Sequence, residues 1–324
     1  MNTRKKIAVV CGGYSGESVV SYRSAAMVMN NIDRSKFEPT KIHVTRERWF
    51  AEVDGEEIDV DKNDFSVPSK SGKLLFDGVF MIIHGTPGED GLMQGYFQML
   101  NIPFTTGQVQ NMAMTFNKKQ TTRTLAAMGY RTAKSTTLKR LESYSASFVI
   151  QTVGLPCFVK PNCGGSSIGT SRVNKVEDLH VALDKAFAED QQVIIEEFIE
   201  GTEVTCGVIV INGTVTALPI TEIVSKKEFF DFEAKYQGAS EEITPARLDK
   251  EIYTQVQRYS EDIYRKLDCN GMIRIDYLIR NTEIFVVEVN TVPGFSEASI
   301  IPQQAAAIGM SKTELITTVI ESSL

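Results

Sequence analysis

The chain alternates short, wholly apolar runs with stretches whose apolar residues return every three or four positions. Ile7-Ala8-Val9-Val10-Cys11 is a continuous apolar run and predicts a buried strand over 5–11. A glycine-serine turn follows, then a helix from about Glu17 to Asn30 with Val20, Ala25, Val28 and Met29 on one face. Strands near 37–44 and 79–84 and a helix near 91–100 complete an open α/β unit ending at about Thr106-Gly107. A helix over 110–128 stops at Gly129, and a strand is expected over Ser135 to Leu138. Residues 156–160 and 169–173 read as two strands joined by a glycine-rich loop, with a returning helix at 176–188. From Val193 the pattern is mainly strand: Val193 to Phe198, Val204 to Ile211 and Thr214 to Ile223, with Asn212-Gly213 as a hairpin turn. Residues 225–245 are polar, aromatic-rich and without period, which predicts a lid or binding loop, placed at 225–240. A helix over 246–266, a strand pair over 271–289 and a helix over 311–322 close the chain, and no repeat is present. The fold class expected is α/β with α+β parts in three domains: 1–107, 108–192 and 193–324.

Composition narrows the function classes. At 324 residues the chain is long enough for two or three cores. Its 34 basic against 41 acidic side chains give a formal charge of −7, which argues against general nucleic-acid or anionic-membrane binding but not against a nucleotide held by a few lysines. The longest apolar runs fall far short of the roughly 20 residues of a membrane span. The basic Met1–Lys6 segment is followed by too short an apolar stretch for a signal peptide. Five cysteines without a CxxC pair predict reduced thiols and a cytoplasmic location.

Two constellations carry chemistry. In Lys160-Pro161-Asn162-Cys163-Gly164-Gly165-Ser166-Ser167-Ile168-Gly169, exposed N–H and hydroxyl donors follow a strand-end lysine, which suits phosphate oxygens better than a merely flexible hairpin. It is not a Walker A motif, because the lysine precedes the glycines. In the second, the two-residue strand period puts Arg274 with Asp276, and Glu288 with Asn290, on one face. A three-residue loop Asn281-Thr282-Glu283 would set Asp276 opposite Glu288 and Arg274 opposite Asn290. Opposed like charges are destabilising, and one or two Mg²⁺ ions bridging nucleotide phosphates would compensate them; the alternative is a pair solvated independently. Glu196, Glu197 and Glu203 could meet an adenine amino group and ribose hydroxyls, or could be solvated strand-end charges. Glu17 opens a helix after Gly12-Gly13-Tyr14-Ser15-Gly16, where backbone donors bind anions. That turn lacks G-x-G-x-x-G, which counts against a dinucleotide-dependent oxidoreductase. His84-Gly85 before Gly88-Glu89-Asp90-Gly91 could be turn chemistry alone.

Taken together, these motifs resemble the D-alanine:D-alanine ligases, enzymes of peptidoglycan precursor synthesis with an ATP-grasp fold. The likeness is carried by GGxSxE at 12–17, HGxxGEDG at 84–91, Lys118, KPxxxGSSxG at 160–169, EAKY at 233–236, RID at 274–276 and ExNTxPG at 288–294. The resemblance implies that ATP phosphorylates the carboxylate of one D-alanine and that the amine of a second attacks the acyl phosphate. It implies ATP contacts for Lys118, Lys160, Ser167, Lys235, Glu196, Glu197 and Glu203, and two Mg²⁺, replaceable by Mn²⁺, at Asp276, Glu288 and Asn290. By the same likeness Glu17 binds the first ammonium with His84 nearby, Arg274 and the Gly294 N–H stabilise the tetrahedral oxyanion, and Ser299 holds the second carboxylate. Tyr236 joins Ser166 and Glu17 in a hydrogen-bond network under the mobile loop, and a homodimer is implied. Phe295 is more like the ligases of vancomycin resistance, and Ser18 and Ser21 stand near a place where a basic residue is common. Ligation of D-alanine to D-serine or D-lactate is therefore one alternative, although Tyr236 favours an amine. A nucleotide-binding relative without catalysis is another.

Overall fold

The structure, a computed structural model, describes residues 4–70, 72–225 and 240–324. Lys235, Tyr236 and nearly all of the expected mobile loop lie outside the described residues.

Three larger sheets follow one another along the chain. The first contains β1 (Lys5–Gly12), β2 (Phe37–Val44), β3 (Trp49–Val53), β4 (Glu56–Asp59) and, after a small hairpin of β5 (Val67–Ser69) and β6 (Gly72–Leu74), β7 (Gly78–Met81). Its order is β4-β3-β2-β1-β7, with β1 parallel to both neighbours and an antiparallel edge at β3 and β4 that the sequence pattern does not announce. The helix α1 (Ser18–Asn31) makes the crossover from β1 to β2. The unbroken apolar run of β1 is explained by burial on both faces. Ile7 and Val9 pack with Val28 and with Leu315 and Val319 near the C-terminus, while Ala8 and Val10 pack with Phe65, Met93 and Phe97.

The helix α2 (Leu92–Met99) lies where it is expected, but the single helix expected over 110–128 is two: α3 (Val109–Phe116) and α4 (Lys118–Ala127). The break is at Asn117, whose extended backbone and side-chain oxygen, accepting from Gln120 N, cap α4. That break sets Lys118 at a helix start beside the glycine-rich loop.

The second sheet is built from β8 (Ser135–Lys139), β9 (Cys157–Pro161), β10 (Ser171–Val173) and β11 (Gln192–Glu197), in the order β10-β9-β11-β8. It is covered by α5 (Ala146–Val153), absent from the sequence reading, and by α6 (Leu179–Glu189). The third sheet holds β12 (Thr202–Ile211), β13 (Thr214–Ala217), β14 (Thr221–Ser225), β15 (Ser240–Ile243), β16 (Ile273–Arg280) and β17 (Glu283–Asn290). The strand expected over 214–223 is interrupted at Leu218-Pro219-Ile220, since a proline has no N–H for the ladder, and both halves pair with β12. The helix α7 (Lys250–Lys266) covers one face of this sheet. The short α8 (Ile300–Ala307), also unexpected, and α9 (Lys312–Ser323) bring the end of the chain back against β1 and α1.

The register of β16 and β17 sets Asp276 opposite Glu288 and Arg274 opposite Asn290. The expected pairing holds, but not by the expected route. Arg280 pairs with Glu283, so the loop has two residues, Asn281 and Thr282, and a bulge between Asp276 and Tyr277 leaves Val287 unpaired and shifts the ladder by one. Among the described residues no helix is long and apolar enough to cross a membrane.

Candidate active site

The glycine-rich loop joins β9 to β10 and lies against the start of α4. Asn162, almost fully buried, ties the two together: its carbonyl accepts from Lys118 N and its side-chain oxygen from Lys119 N at 2.9 Å. Lys118 Nζ donates to Gly164 O inside the loop. Ser166 and Ser167 both hold left-handed backbone angles, φ 52° and 56°, a conformation that costs a non-glycine residue about 1 kcal/mol or more and is found at functional sites. The loop is therefore held in shape by specific bonds.

A cavity of about 510 Å³ opens between the second and third sheets, a size suited to a small-molecule ligand. Lys118, Lys160, Ser167, Glu196, Glu197 and Glu203 all line it, as do Asp276 and Glu288. Lys160 Nζ is 2.6 Å from Glu196 Oε2, with both side chains buried. Burial alone would lower the lysine pKa, but the charges of Glu196 and Glu288 outweigh it and raise it, so Lys160 is a permanent cation. Glu197 Oε1 accepts from Lys134 N at 2.8 Å. The three glutamates thus belong to the cavity wall and are not strand-end charges in bulk water.

The protein's own cations face the opposed carboxylates at the floor of this cavity. Arg274 grips both oxygens of Asp276, Nε to Oδ1 at 2.8 Å and an Nη to Oδ2 at 2.9 Å, and Lys118 Nζ lies 3.9 Å from Glu288. The opposed carboxylates expected to need Mg²⁺ are thus already partly compensated by the chain's own Arg274 and Lys118. Asn290 Nδ2 donates to Asp276 Oδ2 at 3.0 Å, and the buried Thr205 hydroxyl donates to Oδ1 at 2.6 Å. Thr205 was not singled out from the sequence, although it follows Glu203 by one strand period and pairs with Asp276. Behind it, buried Gln304 donates to Thr205 O and accepts from Gly207 N, so α8 braces the same strand.

A second, smaller cavity of about 120 Å³ is lined by Glu17, His84, Glu89, Ser166, Arg274 and Gly294, among others. Ser166 Oγ donates to Glu17 Oε1 at 2.6 Å. Close approach is possible because a side chain at Gly165 would put its Cβ 2.6 Å from that carboxylate, and one at Gly85 would put it 3.0 Å from Oε2. Glu89 accepts from Gly85 N at 2.7 Å, and burial, reinforced by the charge of Glu17, raises its pKa to about 8. Glu89 belongs to the HGxxGEDG motif at 84–91, and only the fold brings it to the Glu17 carboxylate. His84 is buried, and burial lowers its pKa to about 4.

Ser299 precedes α8, and its hydroxyl is 2.8 Å from both the N and Oγ of Ser296. It neighbours Gly294 without lining either cavity. Phe295 is fully buried in the core against Phe80, and Glu297 is exposed and paired with Lys312 at 3.0 Å. Neither side chain meets the cavities, which removes the sequence's main reason to expect an altered second substrate.

A cavity of nucleotide size that shares a wall with a small polar one suits the class of enzymes that act on a small substrate beside a bound nucleotide. Comparison with known proteins makes the class particular. Family models described as D-ala D-ala ligase N-terminus and D-ala D-ala ligase C-terminus match residues 6–107 and 121–321. A D-alanine–D-alanine ligase of Flavobacterium johnsoniae is 43% identical over 321 residues, covering 99% of each chain. One from Azobacteroides pseudotrichonymphae is 45% identical, covering 98% of this chain and 99% of its own. Among solved structures, the VanG D-Ala:D-Ser ligase of Enterococcus faecalis superposes with a TM-score of 0.87 at 32% identity, over 99% of this chain and 100% of its own. A Bacillus anthracis D-alanine–D-alanine ligase complexed with ATP superposes at 0.79 and 28% identity, over 98% and 97%. The chain belongs to the D-alanine–D-alanine ligase family, whose members are ATP-dependent ligases of ATP-grasp fold.

Proposed function

We propose that the chain joins two D-alanines into D-alanyl-D-alanine for peptidoglycan precursor synthesis, through an acyl phosphate, with these two cavities as its active site. The observation that carries the reading is the shared wall: Lys118, Gly164, Gly165, Ser166 and Glu288 line both. A phosphate reaching from the larger cavity and a carboxylate seated in the smaller would meet there.

In this reading Glu196, Glu197 and Glu203 take the adenosine, while Lys118, Lys160 and the Ser167 loop take the phosphates. A carboxylate oxygen of the first D-alanine attacks the γ-phosphorus, and ADP leaves. The activation is needed because a carboxylate is a poor electrophile, and fixed cations spread the charge of the transfer. The first ammonium is held by Glu17, itself positioned by Ser166, while Glu89, its pKa raised to about 8, stays mostly protonated behind it and leaves the charge to Glu17. The deprotonated amine of the second D-alanine then attacks the acyl carbon. Arg274 and the Gly294 N–H stabilise the oxyanion, the C–O bond to phosphate breaks, and inorganic phosphate leaves with the proton that the attacking nitrogen sheds. Ser299, beside Gly294, is placed to hold the second carboxylate.

Among the described residues no group of three or more His, Cys, Asp or Glu side chains could hold a metal ion by itself. Asp276, Glu288 and the amide oxygen of Asn290 do fit Mg²⁺ or Mn²⁺, since hard oxygen donors that leave several positions to phosphate are what such ions take with nucleotides. When bound, one or two such ions would neutralise phosphate charge. The net charge of −7 supports small-molecule partners over nucleic acid or anionic membrane. A cytoplasmic homodimer completes the proposal by likeness to the family. Incubation with ATP and D-alanine should release dipeptide, ADP and phosphate together. Release of ADP without dipeptide would contradict the ligase reading.

A further inference from the structure

His84 lines the smaller cavity, yet both its ring nitrogens are already engaged. Nδ1 is 2.8 Å from Val292 O, 208 residues away, and a carbonyl can only accept, so Nδ1 carries the proton. Nε2, 3.1 Å from the hydroxyl of Ser24, is then the bare acceptor. Ser24 is fully buried, and its oxygen in turn accepts from Phe295 N at 3.1 Å, 271 residues away. One serine and one histidine thus grasp the turn on both sides of Gly294, at Val292 and at Phe295. The packing of Phe295 against Phe80 adds a third hold. Burial and the nearby Arg274 charge disfavour a cationic ring, which keeps its acceptor nitrogen bare. Among the described residues the other ionisable groups of this cavity are Glu17, Glu89, Lys118 and Glu288.

We propose that Ser24 and His84 are positioning residues for the attack step, holding the 292–295 turn so that the Gly294 N–H faces the oxyanion, and that His84 neither binds substrate nor transfers a proton. The proposal rests on the reading of Gly294 given above. It separates the two half-reactions, because Lys160 and Ser167, which take the phosphates, line only the other cavity, away from this turn.

The chain has three histidines, so ¹⁵N-histidine labelling resolves each imidazole. In the unmodified protein at neutral pH, long-range ¹H–¹⁵N correlation should show His84 neutral, with Nδ1 protonated and Nε2 bare; loss of its signals in His84→Asn assigns them. A protonated Nε2, or a cation at pH 7, would overturn the clamp. In Ser24→Ala, acyl phosphate formation, followed by D-alanine-dependent positional isotope exchange in labelled ATP, should stay within about twofold of wild type while dipeptide formation falls about tenfold, the scale of one lost hydrogen bond. His84→Asn, which keeps a donor for Val292 O, should retain more dipeptide formation than His84→Ala. Equal losses in both half-reactions, or unchanged dipeptide formation in Ser24→Ala, would refute the proposal. The tautomer decides the clamp whether or not a variant folds. A wild-type protein that makes no dipeptide would count against the ligase reading, on which the tautomer does not depend.

Discussion

Ser166 donates a 2.6 Å hydrogen bond to Glu17 although 149 residues separate them, and so joins the phosphate loop to the start of α1. The bond orients the carboxylate that is to receive the first ammonium. Ser166→Ala should therefore raise the KM for the first D-alanine roughly tenfold, since a hydrogen bond to a charged group contributes about 1.5–3 kcal/mol and part is regained from water. Glu17→Gln should have the larger effect. Steady-state rates at saturating ATP check this, and an unchanged KM in both variants would remove Glu17 from the site.

Lys160 and Glu196 form a buried pair whose members need each other. Lys160→Met leaves Glu196 without its cation, and breaking such a pair from one side costs about 3–5 kcal/mol. The variant should lose both thermal stability and nucleotide affinity. In Lys160→Met with Glu196→Gln, most of the stability should return while ATP affinity stays low. Denaturation together with calorimetric ATP titration separates the two effects.

The hydroxyl of Thr205 is the buried donor that fixes one oxygen of Asp276. Thr205→Val preserves shape and deletes the donor. It should weaken the apparent Mg²⁺ affinity of the ADP complex about tenfold, in the range seen when an outer hydrogen bond to a ligand is lost, whereas Thr205→Ser should leave it near wild type. Asp276→Asn should be more severe than Thr205→Val. Mn²⁺ titration followed by electron paramagnetic resonance measures this without turnover.

His84 is buried and neutral, with its pKa lowered to about 4 from an ordinary value near 6.5. Between those values the unfolded chain binds the extra proton and the folded one does not, so stability is complete above about pH 6.5 and is lost as pH falls towards 4. The full loss from this group is about 3 kcal/mol. Urea denaturation from pH 7 to 4.5 should show a steeper decline for wild type than for His84→Asn. Parallel declines would mean that His84 does not titrate in this way.

Strands and motifs with strong local signatures were legible in the sequence. The run at Ile7 to Cys11, the Lys160 loop and the face shared by Arg274 and Asp276 all announce themselves through period or chemistry. Features set by long-range contacts were not. Asn117 splits a helix pattern because it caps a new helix against Asn162, and nothing in the local period distinguishes the two outcomes. The opposition of Asp276 and Glu288 was expected from a three-residue loop, whereas a two-residue loop and a bulge at Val287 produce it. Ser24 looks like one more small residue on an amphipathic helix, and its role exists only because His84 and Phe295 fold against it. Phe295 misled for the same reason, since its motif position suggested substrate contact and its side chain points into the core.

In the proposed reaction the two cavities meet at Lys118 and Ser166 to join two D-alanines at the expense of one ATP. Its most direct test is a product analysis by mass, with ATP, Mg²⁺ and D-alanine alone or in equal mixture with D-serine or D-lactate. D-alanyl-D-alanine should be the dominant product in every mixture, with one ADP and one phosphate released per dipeptide. A mixed D-alanyl-D-serine or D-alanyl-D-lactate product in excess, or ADP release uncoupled from any dipeptide, would contradict it.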